Sequence, residues 1–151
     1  MGSCLVDQFL DLGKVELRIS SVLLEQMVQH VMQLVPEEAC GLLAGAGREV
    51  LKVYPVTNIL HSPVRYRMDP AEQLKIFMEI DQSGWELVGI YHSHPGGPDH
   101  PSITDLREAY YPEAVFLILS PAGETWRFRG YRIRDGMARE VVVRIDHPAE
   151  G

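Results

Sequence analysis

The sequence predicts a single α/β (α+β) domain: one mixed β-sheet with helices packed against it. Three observations predict it. Short runs of period-two or continuous apolar residues alternate with two strongly periodic helical stretches. Three strand-like runs then follow one another with only turn residues between them, which calls for antiparallel pairing beside the strand–helix units. At 151 residues, 46% hydrophobic and 23% charged, the chain suits one soluble core, and folding at that size buries about 68–70% of the unfolded surface.

Residues 1–14 are weakly patterned. The domain is expected to span 15–146, and 147–151 to form a C-terminal tail. Val15 to Ile19 alternates apolar and polar residues as a half-buried strand does. Ser20 or Ser21 caps a helix whose apolar positions Leu24, Met27, Val28, Val31, Leu34 and Val35 follow the helical period, until Pro36 stops it. Gly41 to Gly45 reads as a buried strand, with Glu49 to Thr57 as its antiparallel partner across a Gly45-Ala46-Gly47 turn. Asn58 to Met68 is a loop or irregular edge segment. Asp69-Pro70-Ala71-Glu72 is a strong helix start, with a capping Asp, Pro at the first helical position and Glu three residues after the cap. That helix is expected to turn Leu74, Phe77 and Ile80 inward and to end near Ser83-Gly84. Leu87 to His92 is a further buried strand. Ser102 opens another helix, expected to run to Pro112, and 114–119, 125–134 and 138–145 are strands.

Composition excludes several classes of function. A formal charge of −7 argues against a nucleic-acid surface, which needs clustered Lys and Arg to displace counterions. Arg127, Arg129, Arg132 and Arg134 cluster, but Glu124, Asp135 and Glu140 surround them. No run approaches the ~18 apolar residues of a membrane span, and the N-terminus lacks the charged and apolar regions of a secretory signal. With only Cys4 and Cys40, no disulfide framework is expected and the cytoplasm is the default compartment.

The chemistry gathers at His92-Ser93-His94-Pro95, followed by Ser102 and Asp105. Side chains at i and i+2 of a strand share a face, so His92 and His94 project together while Ser93 points away. The turn-rich loop 95–101 then delivers Asp105 on the first turn of the next helix. Two imidazoles and a carboxylate suit zinc with an open fourth position, although iron, manganese or nickel also accept such a donor set. Zinc is favoured because an open site lowers the pKa of its water to about 7. Glu37 and Glu38, at the lip of the Gly41-Leu42-Leu43 strand, are the candidate bases. Each fragment alone has a plainer explanation: His-x-His arises by chance, and Ser102-x-x-Asp105 is a helix-capping pattern. Together they point to a hydrolase.

Glu38, His92-Ser93-His94-Pro95, Ser102 and Asp105 resemble the signature of the JAMM (MPN+) metalloproteases, Glu … His-x-His-x7-Ser-x2-Asp. Pro36-Glu37-Glu38-Ala39-Cys40-Gly41-Leu42-Leu43 and Gly89-Ile90-Tyr91 match the flanking text, and the likeness runs from about Val15 to Ile145. It selects Glu38 over Glu37 and implies an MPN/JAMM-like, cytidine-deaminase-like fold. It further implies Zn²⁺ held by His92, His94 and Asp105, with Glu38 as general base and then acid, and Ser102 as oxyanion donor. The chain is similar to the compact prokaryotic members, whose partners are ubiquitin-like or sulfur carrier proteins ending in Gly-Gly. Such a tail is expected to add as a strand beside Leu60 to Met68. The alternatives are a zinc hydrolase of another small amide and a non-catalytic MPN-type scaffold.

Other residues have simpler expected roles. His100 belongs on the rim, and His30 is expected in solvent on the polar side of the first helix. Cys40 reads as a small buried residue and Trp85 and Trp126 as core or edge aromatics. Tyr91 is expected on the face opposite His92.

Overall fold

The computed structural model describes residues 14–148. Cys4, the rest of the weakly patterned N-terminal segment before Lys14, and residues 149–151 of the expected tail lie outside them. In chain order the elements are β1 (Val15–Ser20), α1 (Ser21–Leu34), β2 (Cys40–Ala46), β3 (Glu49–Val56), α2 (Pro70–Gln82) and β4 (Glu86–Ser93). Then follow α3 (Ile103–Arg107), β5 (Val115–Ala122), β6 (Thr125–Arg134) and β7 (Met137–Asp146).

The strands form one mixed sheet in the order β1-β3-β2-β4-β5-β6-β7, closed into a barrel where β7 returns to β1. Pairings β4–β5, β1–β7 and the single contact of β1 with β3 are parallel; the others are antiparallel. Period-two patterning divides the interior between two faces. Val115, Leu117 and Leu119 of β5 enter one core, with Tyr91, Leu43 and the apolar stripe of α1. Ala114 before the strand, with Phe116 and Ile118 in it, enters the other, with Cys40, Leu42, Ile90 and residues of α2.

Most helical expectations hold. Ser20 caps α1, its Oγ accepting from the Leu23 amide (3.2 Å). Met27 and Val31 are fully buried, while Val35 falls past the helix end and is half exposed. Asp69 caps α2 by accepting from the Ala71 and Glu72 amides. Leu74 does not turn inward: it is 63% exposed, and Ile76 and Ile80 carry the buried face with Phe77 beside them. At about 100° per residue, Leu74 lies roughly 200° from Ile76, so only one of the two can face the core.

Two boundaries also differ from expectation. The β2–β3 turn sits at Gly47-Arg48, one step later than expected. Gly45 stays paired in the strand, where the close Glu49 carbonyl leaves no room for a side chain, and Gly47 takes the positive φ of +60°. Helix α3 ends at Arg107 instead of continuing to Pro112. The chain turns after it, the Tyr110 amide donating to the Glu108 carbonyl, and Leu106 and Ala109 pack on the second core.

Candidate metal centre and active site

The carboxyl end of β4 carries His92 and His94 to one place. His92 pairs with Cys40 on β2 and Ile118 on β5, and His94 is fixed by its amide donating to the Leu119 carbonyl (2.8 Å). Both imidazoles are buried, as is Glu38 at the entry to β2. His92 Nε2, His94 Nε2 and Asp105 Oδ2 form a near-equilateral triangle with edges of 3.0, 3.1 and 3.2 Å. Zinc bonds of about 2.0–2.1 Å in a tetrahedral site put ligand atoms roughly 3.3 Å apart. The triangle fits that requirement, and a bound cation would relieve the repulsion of three converging lone pairs. Ligand atoms of Glu38, His92 and His94 also fall within 4.8 Å of one another.

Hydrogen bonds set each donor. His94 Nδ1 lies 2.7 Å from the Pro98 carbonyl, which only accepts, so Nδ1 holds the proton and a neutral ring leaves its lone pair on Nε2. Asp105 belongs to a capping box: Ser102 Oγ accepts from the Asp105 amide (3.0 Å), and Asp105 Oδ2 accepts from the Ser102 amide (2.8 Å). The capping role expected of Ser102 is thus present, and its hydroxyl proton remains free to donate.

The titrating groups pull against one another. Burial lowers His92 below its ordinary value, against the opposing pull of Asp105. For His94 burial acts downward too, but Asp105, the Pro98 carbonyl and the charge of Glu38 together raise it. Burial would raise Asp105, yet the neighbouring imidazoles of His92 and His94 and the Ser102 amide hold it well below the usual carboxylate range. Burial pushes Glu38 from 4.5 up to about 8, His94 opposing and Asp105 reinforcing.

Glu38 and Glu37 part company in the structure. Glu37 turns to the surface, 3.5 Å from His61, whereas Glu38 is buried at the metal-centre cluster. Around Glu38 the backbone is tied on all sides. Its amide donates to the Ser62 carbonyl (2.9 Å), its carbonyl accepts from Asn58 Nδ2 (3.0 Å), and the next amide, Ala39, donates to Ser93 Oγ (2.8 Å). Its side-chain Oε1 is buried with no hydrogen-bond partner among the described residues, and the same holds for His92 Nδ1.

Three residues at the site had no assigned part in the sequence. Ser93 does point away from the histidines, and there it holds the Glu38 segment. Asn58 uses its amide on the Glu38 and Arg65 carbonyls and its oxygen on the Leu60 and Arg67 amides, so one buried side chain organises the 58–68 segment. Tyr66 lays its ring against His92, centroids 4.7 Å apart. A polar residue inside an apolar strand (Ser93) and an Asn directly after one (Asn58) are the only sequence signals of these roles.

The remaining placements follow. His100 is on the rim, 64% exposed. Cys40 is buried, its thiol pushed up to about 12 chiefly by burial, and so is no nucleophile. Trp126 packs on the first core and Trp85 on the second. Tyr91 faces away from His92, as expected. His30, however, turns inward, its Nδ1 lying 2.7 Å from the Tyr91 hydroxyl.

Residues 20–131 match the family of prokaryotic homologs of the JAB domain. The chain belongs to that family. It is a JAMM/MPN-type hydrolase of the compact prokaryotic kind. A CysO-cysteine peptidase from Mycobacterium tuberculosis is 36% identical over 130 residues, 84% of this chain and 89% of that protein. A desampylase from Haloferax volcanii is 44% identical over 114 residues, 74% of this chain and 80% of its own. A solution structure of a Desulfitobacterium hafniense protein superposes with a TM-score of 0.78 at 33% identity, covering 89% of this chain and 95% of that one. With enzymes as relatives, the scaffold alternative is set aside. Among the described residues no helix is long and apolar enough to cross a membrane.

Proposed function

We propose that this JAB protein is a zinc metallopeptidase, acting in the cytoplasm, that hydrolyses the amide bond after the Gly-Gly tail of a ubiquitin-like or sulfur carrier protein. Residues 15–146 are its catalytic domain. The observation that carries the reading is the triangle of His92, His94 and Asp105 atoms set beside the buried, unpaired Glu38 oxygen. The relatives named for CysO-cysteine cleavage and for desampylation support the substrate class.

His92, His94 and Asp105 hold the metal. Bound there, zinc would supply Lewis acidity toward a carbonyl oxygen and a nucleophilic water at neutral pH. Glu38 is placed to take one proton from the attacking water as the water oxygen bonds to the scissile carbon. It returns the proton to the leaving nitrogen as the C–N bond breaks, so the products are a carboxylate and an amine. The Ser102 hydroxyl donates a hydrogen bond to the carbonyl oxygen while that atom carries extra charge. The extended tail lies beside Leu60 to Met68, where backbone groups supply affinity. Unchanged tail binding after Val64→Pro would remove that placement.

The test is cleavage of carriers extended beyond Gly-Gly by zinc-loaded protein, with and without chelator. The expected result is cutting directly after Gly-Gly that chelator abolishes and added zinc restores. His92→Ala and Asp105→Ala are expected to lose bound zinc by elemental analysis. Cutting that survives complete zinc removal would sink the metallopeptidase reading.

A further inference from the structure

The loop 95–101 is tied down by β6, the strand on which the sequence clusters its arginines. Arg127, Arg129 and Tyr131 alternate along β6 and so share one of its faces. Their partners on β5 are Ser120, Ile118 and Phe116, and Ile118 in turn pairs with His92. Arg129 therefore lies two strands from His92, roughly 9–10 Å across the sheet. All three residues converge on Asp99. Its Oδ2 lies 3.1 Å from Arg129 Nε and 3.6 Å from Arg127 Nη1, and its carbonyl accepts from the Tyr131 hydroxyl (2.9 Å). Glu140 on β7 holds the Arg129 guanidinium in turn (3.4 Å), so the anchor is itself anchored.

The peptide that ends at Asp99 carries the carbonyl on which His94 depends. Pro98 O accepts the Nδ1 proton of His94, which leaves the Nε2 lone pair for a metal. Gly96, Gly97 and Pro98 are exposed, so packing does not aim that carbonyl. The peptide is planar, and tethers on both the side chain and the carbonyl of Asp99 fix the plane at its far end. Exposed ion pairs add little to folding stability, and Asp99, Arg127 and Arg129 are all partly exposed. What they fix is a direction. We infer that Asp99 is a positioning residue for the metal centre. β6 holds it through Arg129, Arg127 and Tyr131, and it holds the Pro98 carbonyl against His94 Nδ1. The inference rests on the metal-centre reading above and adds a support that lies outside the ligands and the general base.

The test measures zinc affinity by competition with a chromophoric chelator, beside the Tm of chelator-treated protein. Asp99→Ala keeps the backbone tether and loses the ion pairs, and Tyr131→Phe does the reverse. Each is expected to weaken zinc binding about tenfold and the double variant about a hundredfold, the range that outer partners of a metal ligand supply. Arg129→Gln added to Asp99→Ala is expected to cost nothing further, because both remove the same contact. The metal-free Tm of Asp99→Ala is expected to move by no more than about 4 °C, the size of an exposed ion pair at this chain length. In zinc-loaded wild type the His94 Nδ1 proton is expected to give a slowly exchanging NMR signal, and in the double variant to exchange about tenfold faster. Zinc affinity within about twofold of wild type in the double variant, or weakened affinity with unchanged Nδ1 exchange, would overturn the inference and leave the metal centre standing. No zinc binding by wild type would instead defeat the metal-centre reading, and the positioning role with it.

Discussion

Tyr91 and His92 are neighbours on β4, both essentially fully buried, and they face opposite sides of one sheet. Tyr91 meets a complete environment. Its hydroxyl reaches His30 on α1, its ring stands edge-on to that imidazole, and Gly41 leaves the space a Cβ would take from it. Burial keeps the His30 ring neutral and the Tyr91 hydroxyl protonated, so the phenol donates and the imidazole accepts. His92 meets an incomplete one: its Nε2 faces two other ligand atoms, and its Nδ1, like Glu38 Oε1, lacks a partner. A buried polar atom without a partner costs about 1–3 kcal/mol. One face of the strand uses its polar groups to hold the fold, and the other keeps them for a ligand. The Tyr54 hydroxyl and Ser120 Oγ are also buried and unpaired, so a lone orphan does not mark a site. Convergence of the His92, His94 and Asp105 ligand atoms beside the Glu38 carboxyl does.

The contrast can be broken by exchanging the effects of mutation on the two faces. Glu38→Gln is expected to lower turnover by a factor of about 10²–10⁴, the usual share of a general base, while bound zinc measured by elemental analysis stays at wild-type level. Loss of stability with turnover retained would make Glu38 structural, like Tyr91. Ser102→Ala is expected to cost about 10²–10³ in kcat as an oxyanion donor. It also removes the α3 cap, worth about 0.5–2 kcal/mol in chemical denaturation. A stability loss alone would reduce Ser102 to its capping role. On the other face, Tyr91→Phe is expected to reverse the pattern: about 1 kcal/mol of stability lost, with kcat changed by less than about twofold.

A further test concerns pH and sharpens the comparison. Glu38 rises from 4.5 to about 8 on folding, so the folded chain binds its proton more tightly than the unfolded chain does. The associated stability is complete below pH 4.5 and is lost as pH climbs through 8. In chelator-treated protein, the Tm of Glu38→Gln is therefore expected to match wild type at pH 4.5 and to exceed it increasingly toward pH 8. A constant difference across that range would mean that the Glu38 carboxyl is not buried as described.

The geometry of the candidate site was largely legible in the sequence because its parts are local. His-x-His on a strand, a turn-dense loop and a Ser-x-x-Asp cap specify their own geometry over a dozen residues, and the structure brings these side chains together. What escaped is non-local. His30 occupies the polar side of α1 by periodicity, yet its ring meets a tyrosine sixty-one positions later, which no helical pattern encodes. Leu74 was expected inward on an i, i+3, i+6 series that drifts by about 60° each step. The true face is set by Ile76 and Ile80, and only the packing partner decides between two such phases. Asn58 and Ser93 carried no motif because their partners are backbone groups of distant segments. The closure of the sheet was hidden for the same reason.

That closure joins the first described strand to the last, Leu17 lying beside Val143 and Ser20 beside Asp146. Bringing such remote segments together carries a large loop entropy and is characteristically slow. Glu38, His92, His94, Ser102 and Asp105 all lie on the stretch between, built from β2, β4 and α3, none of which pairs with the closing strand. The chain thus works like a clasped bracelet: the stone is set in the middle of the band, and fraying that starts at the clasp opens the ring before it disturbs the setting.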